Sequence, residues 1–152
     1  MRKKSIIPFL FLVLILMPGL KTHAQAHKAN DIVGVWYNDI KSSKVQIFAE
    51  GGKYYGKIVW LRETTDKETG KPRTDNLNPD PKMKSMPLLS LMVLKSFVFD
   101  GKEEWKDGTV YDPKNGKTYS CFIQFEGPDK LKIRGYIGIS LLGRTTVWTK
   151  AE

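Results

Sequence analysis

Arg134-Gly135-Tyr136 and Arg144-Thr145-Thr146-Val147-Trp148 place two arginines and two aromatics in an apolar run near the C-terminus. A guanidinium beside a phenol or indole can grip an anionic or polar head group, or lie on the ring face. Asp75, Asn78 and Asp80 make an oxygen-rich segment of the type calcium prefers. Their spacing lacks the D-x-D-x-D-G pattern, and Asn78-Pro79 and Asp80-Pro81 read as turn and cap chemistry, so no metal is expected. Glu103, Glu104, Asp107 and Asp112 are the densest acids, but they fall around turns, where solvated carboxylates are ordinary. Cys121 alternates with Tyr119, Ile123 and Phe125 on an apolar face, as a buried inert thiol would.

What is scarce also narrows the chemistry. The chain has one Cys, so no internal disulfide is expected. Of its two histidines only His27 lies beyond the expected leader, at what should be a frayed end. A Ser-His-Asp triad, a Cys-His dyad and His-based zinc sites all need an imidazole held in the fold. Catalysis is therefore not expected, and neither is a cofactor. The weaker alternative is an enzyme using carboxylates or Arg/Tyr.

The N-terminus predicts export. Arg2, Lys3 and Lys4 precede an apolar stretch, Ile6 to Met17, interrupted by Pro8 and broken by Pro18-Gly19. Ala24-Gln25-Ala26 fits an A-x-A cleavage site, with cleavage after Ala24 as the alternative. This is the pattern of a signal peptide over residues 1–26, too short to span a bilayer. The protein is expected in the periplasm or outside the cell. Losing Arg2, Lys3, Lys4 and Lys21 lowers the formal net charge from +9 to +5. That excess suits contact with anionic envelope surfaces. It is too spread out for a nucleic-acid stripe.

Residues 27–152 read as one all-β domain. Alternating apolar runs separated by turn signals predict eight strands: Ile32–Tyr37, Lys44–Glu50, Tyr54–Leu61, Leu91–Phe99, Glu103–Asp112, Lys117–Glu126, Lys130–Ile137 and Gly143–Lys150. Gly51-Gly52, Asp100-Gly101, the Asp112–Gly116 run and Gly127-Pro128-Asp129 supply tight turns. The meander predicts a single eight-stranded antiparallel up-and-down barrel, since closure removes exposed edges. A two-sheet sandwich is the alternative. Arg62 to Lys84 is a long polar loop between the third and fourth strands, and a loop of that length is usually functional or mobile. Within it Asp80 should cap a short helical turn, Pro81–Ser85. Met83, Met86, Leu88 and Leu89 could then lay the segment over an open barrel end as a lid.

Gly34-Val35-Trp36 resembles the opening signature of the lipocalin-like (calycin) barrels. That resemblance implies a Trp36 plug at one barrel end, reached through Gly34, with Arg144 of the last strand laid on the indole. The chain further resembles the bacterial secreted family DUF2147, from Ile32 to Lys150. The resemblance is carried by D-x-x-N-P-D-P (Asp75, Asn78 to Pro81), M-P-L-L-S-L-M-V-L (Met86 to Leu94), D-G-T-V-Y-D-P-K-N-G-K-T-Y (Asp107 to Tyr119) and the run Arg134 to Trp148. The family usually shows R-P-L-L-G-L where Met86 and Ser90 depart from it. It implies a lipocalin-like barrel and export, and brings no established reaction.

A binding module follows as the first functional expectation, with a small apolar or amphipathic ligand in or at the mouth of the barrel. Arg134, Tyr136, Tyr55, Trp60 and Trp148 are the candidate ligand contacts, with Trp36 as further lining. A barrel filled with side chains, serving a structural or interaction role in the envelope, is the alternative.

Overall fold

The structure, a computed structural model, describes residues 26–139 and 141–151. The expected signal peptide, apart from Ala26, lies outside the described residues.

Among the described residues a 3-10 turn at Ala29–Ile32 leads into eight strands: β1 (Gly34–Tyr37), β2 (Ser43–Glu50), β3 (Lys53–Leu61), β4 (Met92–Phe99), β5 (Glu104–Asp112), β6 (Lys117–Phe125), β7 (Lys130–Tyr136) and β8 (Gly143–Lys150). Each pairs antiparallel with the next, and β1 pairs with β8, closing the barrel. The alternation seen in the sequence becomes inside and outside. Val45 and Ile47 of β2, Cys121 and Ile123 of β6, and Leu131 and Ile133 of β7 are buried, while their neighbours face outward.

Irregularities on β3 and β5 change which side chains point in. Opposite Lys44 and Val45, the partners on β3 are Trp60 and Ile58, so Val59 is an extra residue. Such a bulge flips everything after it. Leu61 turns inward and Trp60 outward. On β5 the register shifts between Trp105 and Gly108, and Asp107 takes φ 59°, a bulge at the Asp107-Gly108 pair.

One end of the barrel is sealed. The first strand was expected from Ile32, but Ile32 ends the 3-10 turn, and Gly34, at φ 149°, redirects the chain into β1. The turn sits under the barrel as a floor. Trp36 Nε1 donates to the Ile32 carbonyl at 2.9 Å, and Trp105 Nε1 donates to the Ala29 carbonyl at 3.0 Å. The Tyr54 hydroxyl donates to Asn30 Oδ1 at 2.9 Å. Phe125 meets both indoles edge-on, at 6.0 Å from Trp36 and 5.7 Å from Trp105. His27 is not frayed: its ring stacks on Phe125 at 4.2 Å.

Trp36 is thus fully buried at the closed end, but Arg144 does not lie on it. The β1–β8 register sets Trp36 opposite Lys150, whose Nζ lies 6.0 Å from the indole. Arg144 is six residues earlier on β8, about 20 Å away along the strand. It stands at the other end of the barrel, 3.7 Å from Asp39. The resemblance implied Arg144 on the indole; the β1–β8 register puts it at the other end.

Trp105→Ala is expected to cost about 3–5 kcal/mol, because it empties the floor of a fully buried indole. Arg144→Ala should change stability by under about 1 kcal/mol, as its ion pair is solvent-exposed. Guanidinium unfolding of the two variants checks both; an Arg144→Ala loss as large as that of Trp105→Ala would contradict this placement.

Candidate functional site

Opposite the floor, the barrel opens into a cavity of about 410 Å³. Its depth is apolar: Val45, Ile58, Leu61, Val93, Val110 and Ile133 line it, with Trp148 and Thr146 from β8. Gly135 contributes no side chain on the inner face of β7, and a Cβ there would approach Val110 Cγ1 to 3.2 Å. Polar groups gather at the mouth: Asn38, Ser42, Arg73, Asn76, Lys114 and Arg144. A cup of this form can hold an apolar body below and a polar or anionic head above.

The long segment after β3 builds one side of this mouth. Asp80 Oδ1 accepts from Lys82 N–H at 2.9 Å and starts a 3-10 turn at Pro81–Met83, shorter than the Pro81–Ser85 turn expected. Short bridges pair Thr65 with Pro72 and Thr74 with Pro87. Leu88 is buried against the cavity, and Arg73 and Thr74 line its rim. Met83, Met86 and Leu89, expected over the open end, are instead exposed and border a groove outside the β4–β5 wall.

A buried carboxylate holds the segment down. Asp75 is 0% exposed. The Tyr111 hydroxyl donates to its Oδ1 at 2.7 Å and Asn78 Nδ2 donates to its Oδ2 at 2.6 Å. Its backbone N–H donates to the Met86 carbonyl at 2.9 Å. Desolvation, then the bond to Asp75 and its charge, push the Tyr111 phenol up to about 12, so it stays a donor. The sequence's oxygen-rich loop is therefore a hydrogen-bonded anchor. Among the described residues no three His, Cys, Asp or Glu are grouped to hold a metal ion. Gly116, at φ 70°, fixes a second contact: any Cβ there would overlap the Leu77 carbonyl.

The structure does not bring the sequence-derived contacts together. Trp148 lines the cavity, and Tyr136 touches its rim, though its ring packs outside near Phe122 at 6.3 Å. Arg134 lies on the outer face of β7, donating to Thr145 Oγ1 at 2.9 Å and to the Leu141 carbonyl at 3.4 Å. Tyr55 stacks on Phe48 outside the wall. Trp60, turned out by the Val59 bulge, meets Tyr37 edge-on under Lys44. Trp36 belongs to the floor. Two mouth residues, Arg73 and Tyr111, went unmarked by sequence reasoning, although Tyr111 sat in the D-G-T-V-Y-D-P motif beside the D-x-x-N-P-D-P motif it binds.

Among the described residues neither a histidine nor a cysteine lines the cavity. Burial pushes the Cys121 thiol up to about 12. The mouth acids are occupied: Asp39 pairs with Arg144, and Asp112 accepts from Lys114 N–H at 2.9 Å and Asn115 Nδ2 at 3.1 Å.

Residues 34–150 match the model of a family described as an uncharacterized protein conserved in bacteria, DUF2147. Among solved structures the chain is similar to HP1028 from Helicobacter pylori, described as belonging to the lipocalin family. The TM-score is 0.67 at 25% identity, over 79% of this chain and 82% of that one. No curated protein matches.

Tyr111→Phe should destabilise the fold by about 1–3 kcal/mol, since Asp75 keeps its burial and loses a donor. The phenol's raised value gives the sign of a pH effect. Its contribution to stability is full below pH 10 and is lost as the pH rises through about 12. Phenolate absorbance should show one fewer late-titrating tyrosine in the variant; an unchanged late step would contradict the assignment.

Proposed function

The chain belongs to the DUF2147 family and closes into a lipocalin-like barrel, and from that premise we propose that it is an exported carrier of a small apolar or amphipathic ligand. The observation that carries this reading is the cavity of about 410 Å³, greasy in its depth and rimmed by Arg73, Lys114 and Arg144 together with the carboxylates of Asp39 and Asp112. Pockets with an apolar body and a few polar groups at the opening are the usual form of small-molecule sites in barrel mouths. An apolar tail would lie along Val93, Val110, Ile133 and Trp148, and a polar or anionic head would meet Arg73, Lys114 and Arg144. Arg134, on the outer face, is not in this role, and Tyr136 borders the rim with its ring packed outside.

Binding rather than catalysis is favoured by the lining itself, which offers neither an imidazole nor a thiol, and whose acids already have partners. The open interior speaks against a barrel merely filled with side chains. Export to the periplasm or beyond is supported by the leader pattern, residues 1–26.

Native mass spectrometry of the purified protein should show a co-purified small molecule, or uptake of an added long-chain amphiphile. Thr146→Phe places a ring in the middle of the cavity. It should reduce uptake of an apolar fluorescent probe at least about tenfold, the scale of a contact worth about 1.4 kcal/mol. Its melting temperature should stay near that of the parent. Equal uptake by parent and variant would refute binding inside the cup.

A further inference from the structure

The hairpin between β7 and β8 is built unlike the other turns. Ile137, Ile139, Leu141 and Leu142 are 65%, 59%, 82% and 71% exposed, four large aliphatics within six positions. They pack against no core. The turn is nevertheless formed, with Ile137 N–H donating to the Leu142 carbonyl at 3.3 Å and Leu142 N–H donating to the Ile139 carbonyl at 3.0 Å.

On its β1 side the hairpin outruns its neighbour, while on the other side β6 pairs with β7 out to Ser120 and Tyr136. The last β1–β8 pair towards the mouth is Tyr37 with Thr149, while β7 and β8 stay paired out to Tyr136 and Gly143. The arm therefore runs about 20 Å past the end of its pairing with β1. Arg134 and Arg144 stand on its stem, two or three residues behind the aliphatic tip, about 7–10 Å back. From Lys130 to Ala151 the sequence carries no acid.

We propose that this arm docks the barrel, mouth first, on an anionic lipid bilayer. The aliphatic tip enters the boundary between head groups and acyl chains, and the stem arginines meet the phosphates behind it. The internal bonds of the turn matter, because backbone N–H and C=O groups entering lipid must already be paired. The chemistry favours a bilayer over a protein partner. The tip has no Trp or Tyr, the usual anchors of protein interfaces. Its large side chains are all aliphatic, and the charges on its own two strands are all positive, although Asp39 of the β1–β2 turn stands 3.7 Å from Arg144. Self-association through the free edge of β8 is opposed by Arg144, a charge of the kind that blunts edges.

This inference goes beyond ligand carriage and does not depend on it, since docking can be read with an empty cup. The test uses the chain from residue 26 onward, which holds every strand of the barrel. Phosphatidylcholine vesicles are compared with vesicles carrying about 30% phosphatidylglycerol, an anionic surface. The parent should co-sediment with the anionic vesicles at least about tenfold more strongly, and less so as salt is raised. Ile139→Asn with Leu141→Asn, neither of which lines the cavity, should remove at least about nine-tenths of that binding. Melting temperature and apolar-probe uptake should stay those of the parent. Failure of the parent to bind either vesicle would overturn the proposal, as would a double variant that binds equally well. A parent dimer in sedimentation velocity that the double variant loses would assign the tip to a second copy instead. Loss of probe uptake with vesicle binding intact would count against the cup alone.

Discussion

Trp36 and Trp105 face the same constraint. Each indole is large enough to seal a barrel end, and each carries an N–H that costs about 1–3 kcal/mol if buried without an acceptor. Both are answered by carbonyls of one 3-10 turn, Ile32 for Trp36 and Ala29 for Trp105. The remainder of the closed end follows from that pair of bonds. Phe125 fills the space edge-on to both rings, His27 covers Phe125, and Tyr54 ties Asn30 from the far wall. The closure between β1 and β8 has two paired positions in register against four between β1 and β2, and the floor adds a further hold on the first strand.

The open end is organised by the opposite device, a buried anion. A carboxylate taken out of water is tolerable only if its oxygens are satisfied. Asp75 draws one donor from β5 and one from its own segment, and so converts a long polar connection into a fixed part of the rim. Gly116 lets the β5–β6 turn approach Leu77 with no atom in between. The cavity keeps its shape because the segment beside it is pinned at both places.

The strands were legible because a pleat has a period of two and every hairpin carries its own turn residues. On β7 the same parity sets Leu131 and Ile133 inward and Arg134 outward, so Arg134, expected as a ligand contact, stands outside the barrel. Trp60 was not legible: its parity matches Tyr54, Gly56 and Ile58, and only the extra residue at Val59 sends it out. Arg144 shows a different limit. Its inward face could be counted, but its end of the barrel depends on the stagger between β1 and β8, which no local pattern encodes. The site was therefore read as a set of aromatics, whereas its rim is built by Tyr111, Arg73 and Asp75. Asp75 and Tyr111 meet across 36 positions between two motifs that were each visible alone.

A barrel sealed at one end has no through-path. The indole floor makes the interior a dead end, so whatever enters must reverse to leave. An elongated guest would go in narrow end first and come out polar end first, never turning over inside. Orientation is thus decided at entry, and the same opening governs both loading and residence time. That distinguishes this barrel from a conduit: a molecule held in the cup could leave only through the mouth it entered.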